Sequence, residues 1–410
     1  MGLKSGRLRI SILVGYYPTP FKPYFDDQFA ELIVSGAEIA IWASGRIDQT
    51  RAALVDEYRI ESLVRRYPVA LRSVPAALPR AALAAGRVSG RVASLVRSAI
   101  QRPGAWKERG IEFARHVGLA SQRPPHLVLV HGLPTMRMFR NIRSVFPSVP
   151  VALFYHGGDV PLSDPITDAA DVLAVPHVIF TGSEFALREL IARGAPAERI
   201  RISPVGFRLQ DFTPDAGRSY LPDGLLRCLT VGRLSAEKGH AVMLAALARL
   251  PGDLRARVRW RVIGSGPEER ALRDRMQELD LSSQVAFLGA LPRPAVIAEL
   301  KHTDCLVLPS VPTTQWAETQ ACVLQEAMLM AVPVLAARLG GVSESTAPGC
   351  RELLFAPGDA AALAQRLALL LGGDGERLAA LGNEGRVWAR ANFDVRTRTA
   401  DLVSEALGAC

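Results

Sequence analysis

The sequence predicts an α/β protein made of two Rossmann-like domains that follow one another along the chain. Its 410 residues are enough for about two domains, since a domain usually contains about 100–200 residues. Short apolar runs alternate with helical stretches in both halves, which is the pattern of βαβ units and parallel sheets. We therefore expect domains over residues 1–210 and 211–410, with a C-terminal helix that packs back on the first domain.

Each half contains six apolar runs that are expected to form one parallel sheet. The runs of the first half are Leu8–Tyr16, Ala37–Ala43, His126–His131, Val149–His156, His177–Ser183 and Arg199–Phe207. Those of the second are Arg227–Leu234, Val258–Gly264, Val285–Ala290, Asp304–Ser310, Pro333–Ala337 and Glu352–Ala356. Residues 208–223 are rich in Pro, Gly and Asp and predict a linker, whereas Ala360–Leu371 and Glu376–Asn392 predict closing helices. Two such sheets face each other across a cleft at the carboxyl ends of their strands, where these folds bind ligands.

The composition is that of a soluble globular protein, with 49% hydrophobic and 22% charged residues. It excludes a disordered tail, a collagen-like chain and a disulfide-rich scaffold. No apolar run approaches the roughly 18–20 residues that span a bilayer, and the start of the chain shows no signal-peptide core. The five cysteines lack C-x-x-C spacing, which favours reduced thiols. These observations predict a cytoplasmic protein.

The positive charge is concentrated in the first half, where residues 1–210 hold 27 Lys and Arg against 17 Asp and Glu. Most of the excess lies in 61–110, and apolar residues recur there at helical spacing around Gly86–Ile100. A basic amphipathic helix of this kind can bind an anionic membrane surface, which predicts a peripheral protein at the inner face of the cell membrane. The alternative is an ordinary helix with solvated arginines. Aromatic residues are only 6% and no nucleic-acid motif is present, so nucleic acid is not an expected partner.

The loop after the first strand of the second half carries two cations near a predicted helix start. Gly232 ends the strand without a side chain, so a ligand can approach the backbone. Arg233 and Lys238 follow it, and a guanidinium fork with a point charge suits a diphosphate. The alternative is an ordinary strand–helix turn with two solvated cations. Because neither half has a complete G-x-G-x-x-G or P-loop motif, we expect no redox cofactor.

Further candidate residues follow other strands at the predicted cleft. Gly264 begins a Gly-Ser-Gly-Pro turn, a pattern that is more often structural than functional. Glu318 lies in a polar loop and Glu326 lies eight residues later on a helix that starts near Ala321, so both carboxylates can face the cleft and accept hydrogen bonds from sugar hydroxyls. His156, followed by two glycines, ends a strand of the first half with room for a ligand. Each of these residues also has a purely structural interpretation.

The order of these segments resembles the retaining glycosyltransferases of family 4, which have the GT-B fold. The segments that carry the resemblance are Gly232-Arg233…Glu237-Lys238-Gly239, Gly264-Ser-Gly-Pro267, Phe287-Leu-Gly289, Asp304–Ser310, Glu318-x7-Glu326, Pro333-Val, Gly340-Gly-Val-Ser-Glu344 and Leu354–Asp359. One such segment is common by chance, but the ordered set is specific. The chain departs from the family at Thr319-Gln320-Ala321-Cys322, where Gly-Phe-Gly-Leu is usual, and at Ala331, where glycine is common.

The resemblance implies a role for each matching residue. Arg233 and Lys238 would hold the donor diphosphate, Glu326 would hold the ribose, and His156 would contact the sugar from the opposite domain. Glu318 and the backbone of Ala321, Cys322 and Val323 would meet the transferred sugar or its phosphate.

The resemblance also implies a reaction that needs no metal and no cofactor, because cations and a helix start stabilise the leaving diphosphate. The expected function is a hexosyltransferase-like, retaining transfer from a UDP- or GDP-sugar to a glycan or lipid-linked acceptor in surface-polysaccharide biosynthesis. Three alternatives are a phosphorylase or epimerase on the same fold, a sugar-nucleotide-binding assembly protein without turnover, and a redox enzyme.

Overall fold

The computed structural model describes residues 7–19, 22–47, 53–67, 106–120, 122–157, 169–314 and 316–409, and these contain two parallel sheets. The strands of the first sheet are β1 (Arg9–Tyr16), β2 (Glu38–Gly45), β3 (Val64–Arg66), β4 (Leu127–His131), β5 (Val151–Tyr155), β6 (Val178–Thr181) and β7 (Ile200–Ile202). The strands of the second are β8 (Leu226–Val231), β9 (Val258–Ile263), β10 (Val285–Phe287), β11 (Cys305–Leu308) and β12 (Val334–Ala336). Their orders are β3-β2-β1-β4-β5-β6-β7 and β10-β9-β8-β11-β12.

Helices connect and cover the strands of both sheets. With the first sheet lie α1 (Tyr24–Val34), α2 (Ala53–Glu57), α3 (Trp106–Ala120), α4 (Leu133–Met138), α5 (Ile142–Val145), α6 (Ala169–Leu173) and α7 (Glu184–Ala192). After β8 come α8 (His240–Arg249), α9 (Gly252–Arg255), α10 (Glu269–Glu278), α11 (Arg293–Lys301), α12 (Cys322–Leu329), α13 (Ala360–Gly372), α14 (Gly375–Asn392) and α15 (Val395–Gly408). This alternation confirms the predicted α/β class.

The central strands are buried along their whole length, as β4 and β5 show. A parallel sheet with helices on both faces has no solvent-facing side, so its strands consist of continuous apolar runs rather than alternating ones. The same rule holds for β11 of the second sheet, whose four residues are all buried, whereas β9 alternates and exposes Arg261. Trp260 on β9 is fully buried in the second core, and its indole N–H donates to the Thr230 hydroxyl at 2.9 Å.

The strand count differs from the prediction of six and six, because the sheets have seven and five strands. The short edge strand β3 contains one apolar residue among three, so it left no apolar run. The predicted strand Glu352–Ala356 was wrong: a 3₁₀ turn covers Pro348–Leu353, and only Phe355 forms a bridge, to Ala337. Leu353 ends that turn and Leu354 directly follows it; both are buried, which produced the apolar run.

The C-terminal helix α15 returns to the first sheet and packs on α1. Leu402 and Ala406 of α15 lie in the same apolar cluster as Phe25 and Phe29 of α1. The approach to this helix is fixed at Phe207, whose N–H donates to the Phe393 carbonyl at 2.8 Å. The last helix of the chain therefore contacts the domain that contains the first strand.

The basic segment 61–110 falls mostly outside the described residues, and so does the helix predicted around Gly86–Ile100. Its proposed contact with an anionic membrane stays a prediction. Within the part of the chain that is described, no helix is both long and apolar enough to cross a bilayer.

Candidate functional site

The candidate site lies where loops after the strands of both sheets come together. Gly232 and Arg233 follow β8, Gly264 follows β9, and Ser310 follows β11. From the first sheet, His156 follows β5. Carboxyl ends of parallel strands meet at one edge of a sheet, so the sequence-predicted residues share one region because of the topology.

The loops after β8 and β9 touch through their backbones. Gly264 has a φ of +146°, and a Cβ placed on it would lie 1.8 Å from the Gly232 carbonyl oxygen. The Gly232 N–H in turn donates to the Ile263 carbonyl at 2.9 Å. Only a residue without a side chain fits such an approach, so Gly264 positions the loop that carries Arg233.

Lys238 and Glu318 form an ion pair at the end of the second sheet. The Lys238 ammonium lies 2.8 Å from Glu318 Oε1 and 4.1 Å from the centroid of the Trp316 ring. The Ser310 hydroxyl donates to the same carboxylate oxygen at 3.0 Å. Glu318 is buried, and Lys238 is the cation that pairs with its carboxylate. Arg233, in contrast, is exposed.

Glu318 lies in a loop and Glu326 on a helix, as the sequence predicted, because α12 begins at Cys322 with Ala321 as its N-cap. The methyl group of Ala321 offers no acceptor to the first N–H groups of the helix. These groups carry a partial positive charge and favour an anion. The backbone of Ala321, Cys322 and Val323 therefore starts a helix next to the Lys238–Glu318 pair. Burial raises the pKa of the Cys322 thiol to about 12, so it stays protonated at neutral pH.

Glu326 is buried and its carboxylate faces a cation. Arg293 Nε lies 3.3 Å from Glu326 Oε1, and the same guanidinium contacts Asp27 of α1. Burial raises the pKa of Glu326, while Arg293 opposes that shift. Glu326 thus stands beside a charge cluster that includes a residue of the first domain.

His156 forms a stacked pair with His131, which ends β4. Nδ1 of His131 lies 2.9 Å from Nε2 of His156, and the rings are nearly parallel. Burial lowers the pKa of His131 to about 3, helped by the charge of Lys22. Burial, His131 and Lys22 together lower the pKa of His156 well below its usual range. Both imidazoles are therefore neutral at pH 7, and one nitrogen of the pair must donate to the other.

The segment that departs from the family pattern joins the two domains. The Thr319 hydroxyl donates to the His156 carbonyl at 2.6 Å. The Gln320 amide oxygen accepts from the Val205 N–H at 2.9 Å, and its NH₂ donates to the Val205 carbonyl at 3.3 Å. A Cβ on Gly157 would lie 2.0 Å from Thr319 Cγ2, so Gly157 makes room for this contact. Thr319 and Gln320 therefore hold the Glu318 loop against the first domain.

Gln320→Ala is expected to lower the free energy of unfolding by about 1–3 kcal/mol, because it removes two hydrogen bonds of about 0.5–1.5 kcal/mol each. Urea unfolding at pH 7 measures the change. Gln284→Ala is the control, since the Gln284 side chain contacts the adjacent Ser283. Equal losses for the two variants would contradict a domain-joining role for Gln320.

Sequence reasoning missed Asp27, His131 and Arg293. His131 contacts His156 and Arg293 contacts Glu326, whereas Asp27 reaches the site through Arg293. The spacing of these residues along the chain gives no signal, since Arg293 pairs with a carboxylate 266 positions away. Only His131, at the end of an apolar run next to a glycine, had the same local pattern as His156. Among the described residues, no group of three or more His, Cys, Asp or Glu side chains could hold a metal ion.

Comparison with known proteins finds similarity that is concentrated in the second half of the chain. Residues 216–388 match the family described as glycosyl transferases group 1. WcaL of Escherichia coli (strain K12), named for a glycosyltransferase of colanic acid biosynthesis, is 31% identical over 212 residues, which are 52% of this chain and 52% of WcaL. The amylovoran biosynthesis glycosyltransferase AmsK of Erwinia amylovora is 28% identical over 230 residues, 54% of this chain and 55% of AmsK. The chain thus aligns with about half the length of these curated relatives.

The fold is also that of solved structures. Anabaena HepE, crystallised in complex with UDP, superimposes with a TM-score of 0.69 over 98% of this chain and 100% of HepE, at 18% sequence identity. A likeness at this identity concerns the fold, which is GT-B. The predicted architecture of two Rossmann-like domains across a cleft is confirmed.

Proposed function

We propose that the chain transfers a sugar from a nucleotide diphosphate sugar to an acceptor. The proposal starts from the match of residues 216–388 to the group 1 glycosyl transferases and from the GT-B fold. The donor is a UDP- or GDP-sugar, the acceptor is a glycan or a lipid-linked sugar, and the anomeric configuration is retained. The relatives named for colanic acid and amylovoran biosynthesis support a role in exopolysaccharide assembly.

The observation that carries the proposal is the Lys238–Glu318 pair between the β8 loop and the start of α12. An ammonium 2.8 Å from a buried carboxylate is held in place before any ligand arrives. The exposed Arg233 lies on the same β8 loop. A diphosphate that enters here meets a fixed cation, a guanidinium and the N–H groups of a helix start, so negative charge that develops on the leaving group is stabilised without reorganisation.

Each remaining residue has a task that follows from its placement. Glu326 accepts hydrogen bonds from the ribose hydroxyls, because its carboxylate is ionised by a neighbouring cation. Glu318 and the backbone of Ala321, Cys322 and Val323 contact the transferred sugar or its phosphate. His156, a neutral imidazole from the first domain, contacts the sugar from the opposite side.

The domains are joined beside the site in this structure. Thr319 and Gln320 connect the Glu318 loop to His156 and Val205. Such contacts keep the two halves of the site together and help to exclude water, which limits hydrolysis of the donor. The acceptor enters from the first domain, and the basic surplus of that half favours an anionic membrane surface.

The test is nucleotide binding followed by transfer. We expect UDP or GDP to raise the unfolding temperature, with a stabilisation of about 2.7 kcal/mol at 100 times the dissociation constant. Membrane extract with the matching donor should then yield a glycosylated product whose anomeric linkage, measured by NMR, equals that of the donor. EDTA should leave the rate unchanged.

Several outcomes would redirect the proposal. Binding of neither nucleotide contradicts it, and loss of turnover on chelation contradicts the metal-independent reaction. Nucleotide binding without turnover favours an assembly protein, and isomerisation of the free donor favours an epimerase.

A further inference from the structure

Arg293, the first residue of α11, links the second domain to a buried carboxylate of the first. Its Nη1 donates to Asp27 Oδ1 at 2.8 Å, and its Nη2 donates to Asp27 Oδ2 at 2.8 Å. Asp27 on α1 is fully buried. This is a bidentate fork, the geometry in which arginine holds a carboxylate most firmly. The orientation of the guanidinium is therefore set by the first domain.

The third nitrogen of this guanidinium faces Glu326. Arg293 Nε lies 3.3 Å from Glu326 Oε1, an ion-pair distance, but it has no hydrogen-bond geometry with any acceptor in the described part of the chain. Glu326 thus receives the charge of Arg293 while its oxygens keep free lone pairs. A carboxylate that lies beside a cation and has unused lone pairs can accept hydrogen bonds from a ligand.

Two aromatic rings also lie close to the Arg293 guanidinium. Its guanidinium carbon lies 5.2 Å from the centroid of Phe212 and 6.0 Å from that of Phe207. Burial works against the charged guanidinium, yet Asp27 and Glu326 raise the pKa of Arg293. Because Asp27 and these two rings restrict its position, the Arg293 guanidinium acts as a fixed positive charge.

The charged and titratable groups around Glu326 come from several elements. On its own helix lies Cys322, whose thiol stays protonated. Asp27 of α1 and Arg293 of α11 face Glu326. Asp211 of the linker interacts with Arg293. Burial and Asp27 raise the pKa of Glu326, and Arg293 is the group that lowers it. Without Arg293, nothing in this set would favour the ionised carboxylate.

We propose that Arg293 is a positioning residue that keeps Glu326 ionised and oriented toward the ribose of the donor nucleotide, with Asp27 of the first domain fixing the guanidinium. This inference rests on the proposed role of Glu326 in nucleotide binding. It makes the donor site of the second domain depend on a contact with the first. The affinity for nucleotide is then coupled to how the two domains pack.

The experiment measures dissociation constants of UDP and GDP by calorimetry at pH 6.0, 7.0 and 8.5. Each variant is compared with the wild type at the same pH, because the terminal phosphate of the nucleotide itself titrates near pH 6. For Arg293→Gln we expect affinity to be weakened about tenfold or more at pH 6.0, and the difference to narrow toward pH 8.5. The loss is larger at low pH because nucleotide binds to the ionised form of Glu326. The substitution raises the pKa of Glu326, so this form is lost as the pH falls through that pKa.

Three variants separate this role from a merely structural one. Arg293→Lys keeps the charge, so the ratio of its nucleotide dissociation constant to that of the wild type should not change with pH. Asp27→Asn should also give a ratio that does not change with pH, since Arg293 stays charged. Arg275→Gln is the control, because Arg275 pairs with Glu278 on the exposed surface of α10. If Arg293→Gln does not fold, the double variant Asp27→Asn with Arg293→Gln replaces it, because this variant has no buried carboxylate at position 27 that lacks a partner. Its nucleotide affinity should show the pH dependence expected for Arg293→Gln.

The outcomes are distinguishable from failure of the proposed function. If the wild type binds neither UDP nor GDP, the proposed function fails. If the wild type binds but the ratio for Arg293→Gln is the same at every pH, the positioning role is overturned. A pH-dependent loss for Asp27→Asn equal to that for Arg293→Gln would overturn it as well, because the charge would then not be the cause.

Discussion

Replacing Arg233 and Lys238 together with alanine is expected to lower the rate of sugar transfer by at least about 10²-fold. The leaving group is a diphosphate, and its negative charge grows as the bond to the sugar breaks. Lys238 is already held 2.8 Å from Glu318, so its charge is in place at the start of the reaction. Removing both cations leaves only the start of α12 to stabilise that charge.

The measurement is kcat and KM for the donor with purified protein. Arg233→Ala alone should lower kcat without affecting folding, because its side chain is exposed. Lys238→Ala leaves the buried Glu318 with the Ser310 hydroxyl, so its unfolding midpoint must be measured too. Arg275→Ala, from an exposed surface pair, is the control. Unchanged turnover in the double variant would remove both residues from the site.

The fold was predictable because parallel strands are buried on both faces. Runs such as Val128–Val130 and Leu306–Leu308 are apolar without alternation, and they mark the inner strands β4 and β11. The strand β3 was missed because an edge strand of three residues carries too little apolar surface to leave a pattern. The segment Glu352–Ala356 was misassigned because Leu353 and Leu354 are buried where a turn ends, and burial there gives the same apolar run as a strand.

The grouping of the candidate residues was predictable where they follow a strand, or lie on the helix after that strand, within one domain. Gly232, Lys238 and Glu318 lie in loops whose order along the chain repeats the order of the strands, so topology brings them together. Arg293 pairs with Asp27 across the domains, and this contact depends on how the domains pack. Thr319 and Gln320 stood out only as departures from the family pattern, and the structure shows what they contact.

Gly264→Ala is expected to lower the free energy of unfolding by about 3 kcal/mol and to weaken nucleotide binding at the same time. A φ of +146° is unfavourable for alanine, at about 1–3 kcal/mol. The new Cβ would also lie 1.8 Å from the Gly232 carbonyl oxygen, an overlap that forces a backbone shift costing about 1–3 kcal/mol. That shift moves the loop that carries Arg233, so stability and affinity should fall together.

Gly289→Ala is the matched control for this prediction. Gly289 also has a positive φ, +72°, but a Cβ there would meet nothing within 4 Å, and its carbonyl accepts from the Gly264 N–H at 2.8 Å. It should lose only about 1–2 kcal/mol for its backbone conformation and keep the affinity for UDP and GDP. Urea unfolding and calorimetry on both variants make the comparison. If both variants lose the same stability and both keep nucleotide affinity, the backbone contact between the β8 and β9 loops does not shape the donor site.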